Sequence, residues 1–189
     1  VHRGVPELAS SADLQYPGGG WHQGEEQFGI GQGEHVLSVD PALQGGAAQV
    51  INIDMARAAL ATGQQNHDLN ALPGQARFWP HDIFSSWGKI ARHGPYDLII
   101  ADPPSHQKGS FVATKDYPRL MRRLPDLLAP AGHALLCLNA PELGMDFLHH
   151  HLREQAPGLT FAERVANPAV FSDVDEGRGL KVGVFRKGV

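Results

Sequence analysis

Cysteine is nearly missing from this chain. Cys137 stands alone, so no internal disulfide can form. Long hydrophobic runs are missing too: no stretch approaches the roughly 18 consecutive apolar residues that a membrane helix needs. The opening residues "VHRGVPELASS" lack the charged start and apolar core of a signal peptide. These absences lead to the expectation of a cytoplasmic protein with no membrane partner. An excess of positive charge is also absent. Lys and Arg number 16 against 20 Asp and Glu, a net charge of -4, which excludes a free-standing, strongly basic nucleic-acid binder. Local clusters such as Arg119, Arg122 and Arg123 can still meet phosphates.

Glycine and proline, by contrast, are plentiful. They fall mostly between periodic segments, as in a loop-rich globular domain. Short β-rich runs alternate with longer helical ones, the signature of an α/β domain. "HVLSV" (35 to 39), "AQVINID" (48 to 54), "ARFWP" (76 to 80), "YDLIIAD" (96 to 102) and "HALLCLN" (133 to 139) read as strands. Their nearly unbroken apolar character predicts burial on both faces, as in a parallel sheet. Helices are predicted over "MARAALATGQQNHDLN", "DIFSSWGKIARH", "YPRLMRRLPDLLA" and residues 141 to 154. "LTFAERVA" reads as a further strand, and "GLKVGVFRK" as a last strand at an antiparallel edge. The predicted fold is a Rossmann-like open, mostly parallel twisted sheet with helices on both faces. It occupies residues 33 to 189, after an irregular segment over 1 to 32.

Between the first two predicted strands lie only Asp40 to Ala47, whereas a parallel crossover takes about a dozen residues. Either the first strand pairs differently or a length of chain is missing there. The run Leu43-Gln44-Gly45-Gly46, read as a helix tail with its glycine cap, favours the second.

Acids follow three of the predicted strands. Asp54 ends the second, where an open α/β sheet binds ligands and a carboxylate can accept both hydroxyls of a ribose; capping the next helix is the competing role. Asp82, in "PHDIF", can take the amine of an adenine or simply cap a helix. After the fourth strand comes "DPP". Proline fixes its own backbone and pushes its predecessor toward an extended conformation, so Asp102-Pro103-Pro104 forms a stiff lip with carbonyls in set directions. Such a lip can hold the polar edge of an extruded base while neighbouring side chains stack on its face. Phe111 and Tyr117 are candidates for that stacking, with core packing the alternative.

At these residues the chain resembles the class I S-adenosylmethionine-dependent methyltransferases, especially the bacterial rRNA large-subunit methyltransferase group. The resemblance runs from about residue 33 to 187. It rests on "NIDMARAALATGQQNHDLN", "FWPHDIFSSW" and "YDLIIADPPSHQKGSFVATKDYPRLMRRLPDLLAPAGHALLCLNAP". It implies S-adenosylmethionine as cofactor, with Asp54 and Met55 at the ribose, Asp82 and Ile83 at the adenine, and Asp102 at the meeting point of donor and substrate. Asp102, Pro103, Pro104 and Asn139 become the implied catalytic residues. Ser105, Lys108, Lys115 and Tyr117 become the implied contacts to an RNA substrate.

The chain departs from the family in two places. The glycine-rich or aromatic loop expected after the first strand is not found in "LSVDPALQGG", and Asn139 stands where the 5-methylcytosine members carry a cysteine nucleophile. Cys137 lies two residues earlier, a shift of about 6.6 Å along a strand, and reads as a buried apolar residue. Direct transfer to a nitrogen is therefore expected over covalent attack on a pyrimidine. Two other readings remain: a non-catalytic binding module, and a nicotinamide-dependent oxidoreductase. The second lacks its G-x-G-x-x-G. The run "HHH" at 149 to 151 implies no metal, because consecutive helical residues point about a hundred degrees apart.

Overall fold

The computed structural model describes residues 42–43, 45–70, 75–104, 106–107, 111–168, 170, 175 and 177–189. The expected first strand, 35 to 39, and the irregular segment 1 to 32 lie outside these residues. Their first feature is a helix end. Ala47 N–H bonds Ala42 O and Gly46 N–H bonds Leu43 O, both at 3.0 Å, with Gly46 at φ 95°. This is the Schellman ending expected from the glycines, and only glycine adopts such a φ without strain.

β1 (Gln49–Asp54) follows and pairs in parallel with β2 (Gln75–Pro80), in the register Gln49↔Gln75 to Asp54↔Pro80. Between them α1 (Arg57–Asn70) packs on both strands and buries Leu60 and Gly63. The helix predicted over 82 to 93 is instead a 3₁₀ turn, Ile83–Ser85, and a short α2, Trp87–Ala91. Its first half is diverted by local polar bonds. Asp82 Oδ1 accepts Phe84 N–H at 2.9 Å, and Ser85 Oγ donates to Asp82 O at 3.1 Å.

β3 (Tyr96–Ala101) pairs in parallel with β6 (Leu128–Leu138). β6 starts earlier than predicted because its first residues wrap the start of β3. The register jumps between Tyr96↔Leu128 and Leu98↔His133, and Ala131 takes φ 61°. Gly132 lies so close to β3 that a Cβ there would stand 2.9 Å from Ala129 O and 3.0 Å from Tyr96 O. Between β3 and β6 come the hairpin β4 (His106–Gln107) and β5 (Phe111–Val112), then α3 (Ala113–Met121) and α4 (Leu124–Leu127). One helix was expected over 117 to 129. It breaks because Pro125 cannot donate to Met121, four residues back, and its ring would strike that carbonyl.

α5 (Met145–Gln155), β7 (Leu159–Val165) and β8 (Lys181–Lys187) complete the chain. The order of the four-stranded sheet is β3-β6-β8-β7, with β8 antiparallel to both neighbours. The last strand is thus antiparallel as expected, but it lies one place inside the edge, which β7 occupies. Flanked on both sides, β6 is buried on both faces through Leu136, Cys137 and Leu138, and so is β8 through Gly183, Val184 and Phe185. β3 departs from the expected double burial, with Leu98 at 42% and Ile100 at 43% exposure. No ladder joins β1 to β3 among the described residues. The two sheets share apolar contacts instead: Trp79, Ile90 and Leu127 pack with Ile51, Ile53 and Ile99.

Candidate active site

Each predicted acid follows the carboxyl end of a parallel strand. Asp54 closes β1, half-buried, and its Oδ1 accepts Ala56 N–H at 2.7 Å. Asp82 stands just past β2 and caps the 3₁₀ turn, also through Oδ1. Asp82 thus fills the capping role weighed against ligand binding, Asp54 bonds the residue just ahead of α1 instead, and each spends one oxygen. The second oxygen of each carboxylate is an acceptor of the kind that the hydroxyls of a ribose and the amine of an adenine, all donors, require. Met55 is 56% exposed beside Asp54, and Ile83 is half-buried beside Asp82.

The lip is built differently. Asp102 is exposed and Pro103 and Pro104 are half-buried, immediately after β3. Asn139, half-buried, stands just past the end of β6. Beneath them lies Tyr117, only 1% exposed. Its hydroxyl donates to the carbonyls of Cys137 and of Ala101, the latter at 3.4 Å. Burial, then the neighbouring Cys137 and Asp102, push the phenol well above its usual range. The expectation that Tyr117 stacks on a base is therefore corrected: a side chain sealed in the core cannot reach one. Phe111 is likewise buried, at 5%, edge-on to Tyr117 with centroids 6.0 Å apart.

Cys137 is the buried apolar residue that the sequence suggested. Burial and, second, the charge of Asp102 push its thiol up to about 12, where a thiolate nucleophile is out of reach at neutral pH. Two neighbours went unnoticed in the sequence. Lys181, 1% exposed at the start of β8, donates to Ala140 O at 2.7 Å. Asp116, 6% exposed, accepts Val112 N–H at 2.9 Å and pairs with Arg119 at 2.6 Å. Burial alone would raise its pKa, but the Val112 N–H, Arg119 and Lys115 outweigh that and hold it below the ordinary value. The signal for Asp116 was its place in the first turn of a helix, where a carboxylate can reach a backbone N–H.

Of the basic residues, Lys115 and Arg119 both lie on α3, four apart, and so share a helix face. Lys115 is exposed. Arg119 is engaged with Asp116, and its guanidinium sits 4.2 Å from the centre of the Phe84 ring. Arg122 Nε donates to Gln155 Oε1 at 2.9 Å. Ser105, Lys108 and Gly109 lie outside the described residues. The three consecutive histidines of α5 do not converge. His149 turns to Phe161, with ring centroids 4.6 Å apart. His150 and His151 turn to Glu154, their ligand atoms within 4.8 Å of one another.

An open α/β sheet with acids and a proline-stiffened lip at its carboxyl strand ends defines a Rossmann-like methyltransferase fold. A family model described as S-adenosylmethionine-dependent methyltransferase matches residues 33–186, and the chain belongs to that family. It is 30% identical over 163 residues to Bacillus subtilis YwbD, which its name provisionally assigns to the ribosomal RNA large subunit methyltransferases. That match covers 80% of this chain and 41% of the relative. It is 34% identical over 112 residues to ribosomal RNA large subunit methyltransferase K/L of Syntrophotalea carbinolica, covering 56% of this chain and 15% of that protein. The chain thus spans less than half the length of either relative. A solved structure of a provisionally assigned methyltransferase complexed with SAH superposes with a TM-score of 0.67 at 25% identity, over 77% of this chain and 40% of the other.

Proposed function

We propose that residues 33 to 189 form the catalytic domain of a cytoplasmic methyltransferase that uses S-adenosylmethionine to alkylate a nucleobase nitrogen in RNA, ribosomal RNA being the favoured target. The observation that carries this reading is the pair of half-used carboxylates, Asp54 and Asp82, beside the Asp102-Pro103-Pro104 lip. The names of the two relatives support an RNA target. Bound at Asp54 and Asp82, the cofactor supplies an electrophilic methyl group on a sulfonium. The protein's share is alignment and proximity rather than strong base catalysis. Asp102 and the carbonyl of Pro103 orient the attacking amine, Asn139 adds its amide, and Asp102 can take the proton the nitrogen releases. The inert thiol of Cys137 supports direct over covalent transfer. Calorimetric titration with S-adenosylmethionine, S-adenosylhomocysteine and NAD tests the cofactor. Heat from the first two alone is expected. Heat from NAD alone supports an oxidoreductase. Silence supports a non-catalytic module, the second reading that the short "LSVDPALQGG" connection favours.

A further inference from the structure

β3 and β6 have their last ladder pair at Ala101↔Leu136. The next positions on β3 include Pro103 and Pro104, which have no N–H, so the ladder cannot continue by backbone bonds. Yet the residues just beyond this point, Asp102 and Asn139, are those the proposed chemistry needs at a fixed separation. The carbonyls of Ala101 and Cys137 lie at the end of the β3–β6 ladder, while β6 stays paired with β8 as far as Leu138↔Lys181, and both carbonyls accept from the hydroxyl of Tyr117. A phenol carries one O–H, so a single proton is shared between two strand ends.

Tyr117 is itself held on three sides. Phe111 and Phe147 meet its ring edge-on, with centroids 6.0 and 6.2 Å away. Its neighbour Asp116 anchors the start of α3 through Val112 N–H and the salt bridge to Arg119. Arg119 in turn lies over Phe84, on the turn that Asp82 caps. The hydroxyl therefore reaches the strand ends from a rigid mount rather than a mobile loop.

We propose that Tyr117 is a positioning residue, whose buried hydroxyl replaces the backbone donors that Pro103 and Pro104 lack and so fixes the spacing of Asp102 and Asn139. This rests on the methyltransferase reading and deepens it. It assigns Tyr117 no contact with substrate or cofactor; it acts only through the two strand ends.

The test compares Tyr117→Phe, which removes the one oxygen, with Ile90→Val, a buried apolar truncation in α2 chosen to give a similar small loss of thermal stability. Three quantities are read: calorimetric affinity for S-adenosylhomocysteine, amide hydrogen exchange by segment, and methyl transfer from labelled S-adenosylmethionine to total bacterial ribosomal RNA. In Tyr117→Phe, exchange is expected to rise about tenfold over residues 99 to 102 and 136 to 139 alone. S-adenosylhomocysteine affinity stays within about threefold, and kcat falls about tenfold or more at unchanged KM for S-adenosylmethionine. Ile90→Val changes neither kcat nor exchange at those segments. Wild-type exchange at the strand ends and wild-type kcat in Tyr117→Phe overturn the proposal, as does an equal kcat loss in Ile90→Val. If the wild-type protein transfers no methyl to the RNA, the RNA reading fails. The localised exchange change then decides for or against the tyrosine by itself.

Discussion

At the cofactor half of the candidate site, Asp54 and Asp82 each bond a backbone N–H two residues further on. At the lip half, Tyr117 reaches carbonyls 16 and 20 residues away in sequence, and Lys181 one 41 residues away. The first half is assembled locally, with Asp54 half-buried and Asp82 exposed; the second rests on tertiary packing, its supports Tyr117 and Lys181 sealed beneath an exposed Asp102. A substitution in the first half is therefore expected to change affinity at nearly constant stability. One beneath the lip changes stability or turnover, since the fold and the chemistry share the same atoms there.

The largest effect tests the lip itself. Asp102→Ala is expected to lower methyl transfer about a hundredfold or more while leaving the melting temperature near wild type, because Asp102 is exposed. A folded variant with full transfer removes Asp102 from the mechanism. Next, Lys181→Ala removes the charged donor to Ala140 O, which keeps only the Leu143 N–H at 3.1 Å, and opens space in a buried site. A loss of about 3 kcal/mol in denaturant unfolding is expected, and a loss below about 0.5 kcal/mol blurs the contrast between the halves. On the cofactor side, Asp54→Asn preserves the local bond, since an asparagine side-chain oxygen also accepts from Ala56 N–H, but weakens charge-assisted acceptance from a ribose. S-adenosylhomocysteine affinity should drop about tenfold in calorimetry with an unchanged melting temperature. An equal drop in both shows that Asp54 is structural.

The smallest effect is a pH dependence. Asp116 has its folded pKa below the ordinary value of an aspartate, about 3.9, because the Val112 N–H, Arg119 and Lys115 outweigh its burial. Its contribution is therefore complete above that value and is lost as pH falls through the folded pKa. Melting curves of wild type and Asp116→Asn should differ by a constant amount from neutral pH to about pH 5, then converge as the solution is made more acidic. Curves that stay parallel to pH 2 break the assignment of that stability to a charged Asp116.

The same contrast explains what could be read in the sequence. Asp54, Asp82 and Asp102 were legible because strand periodicity and capping chemistry are short-range, and each acid sits at the end of a run that announces itself. The glycine ending at Gly46 was legible for the same reason. Of the two roles weighed for Tyr117, core packing is the one found, but the task of its hydroxyl was not legible, because only the packing of α3 against β3 and β6 turns it toward two carbonyls. Lys181 gave no signal, since a lysine at the start of a strand is ordinarily exposed. The helix boundaries failed where one or two residues overrode a periodic pattern: Asp82 with Ser85 in the predicted helix 82 to 93, and Pro125 in the predicted helix 117 to 129. The place of β8 inside β7 was out of reach, because strand order depends on contacts between segments rather than on either segment's own pattern.

One buried atom gives the molecule a reporter it did not need to be engineered to carry. The thiol of Cys137 is the only one in the chain, and the carbonyl of the same residue accepts from Tyr117 at the strand ends. With its pKa pushed up to about 12 by burial and by the charge of Asp102, the buried thiol carries almost no thiolate at neutral pH and is shielded from reagent. Alkylation by a maleimide or iodoacetamide must then wait for the strand ends to part. Its rate in unmodified protein becomes a clock for that opening, readable by mass on the native chain, and a ligand that clamps the lip shut will slow it.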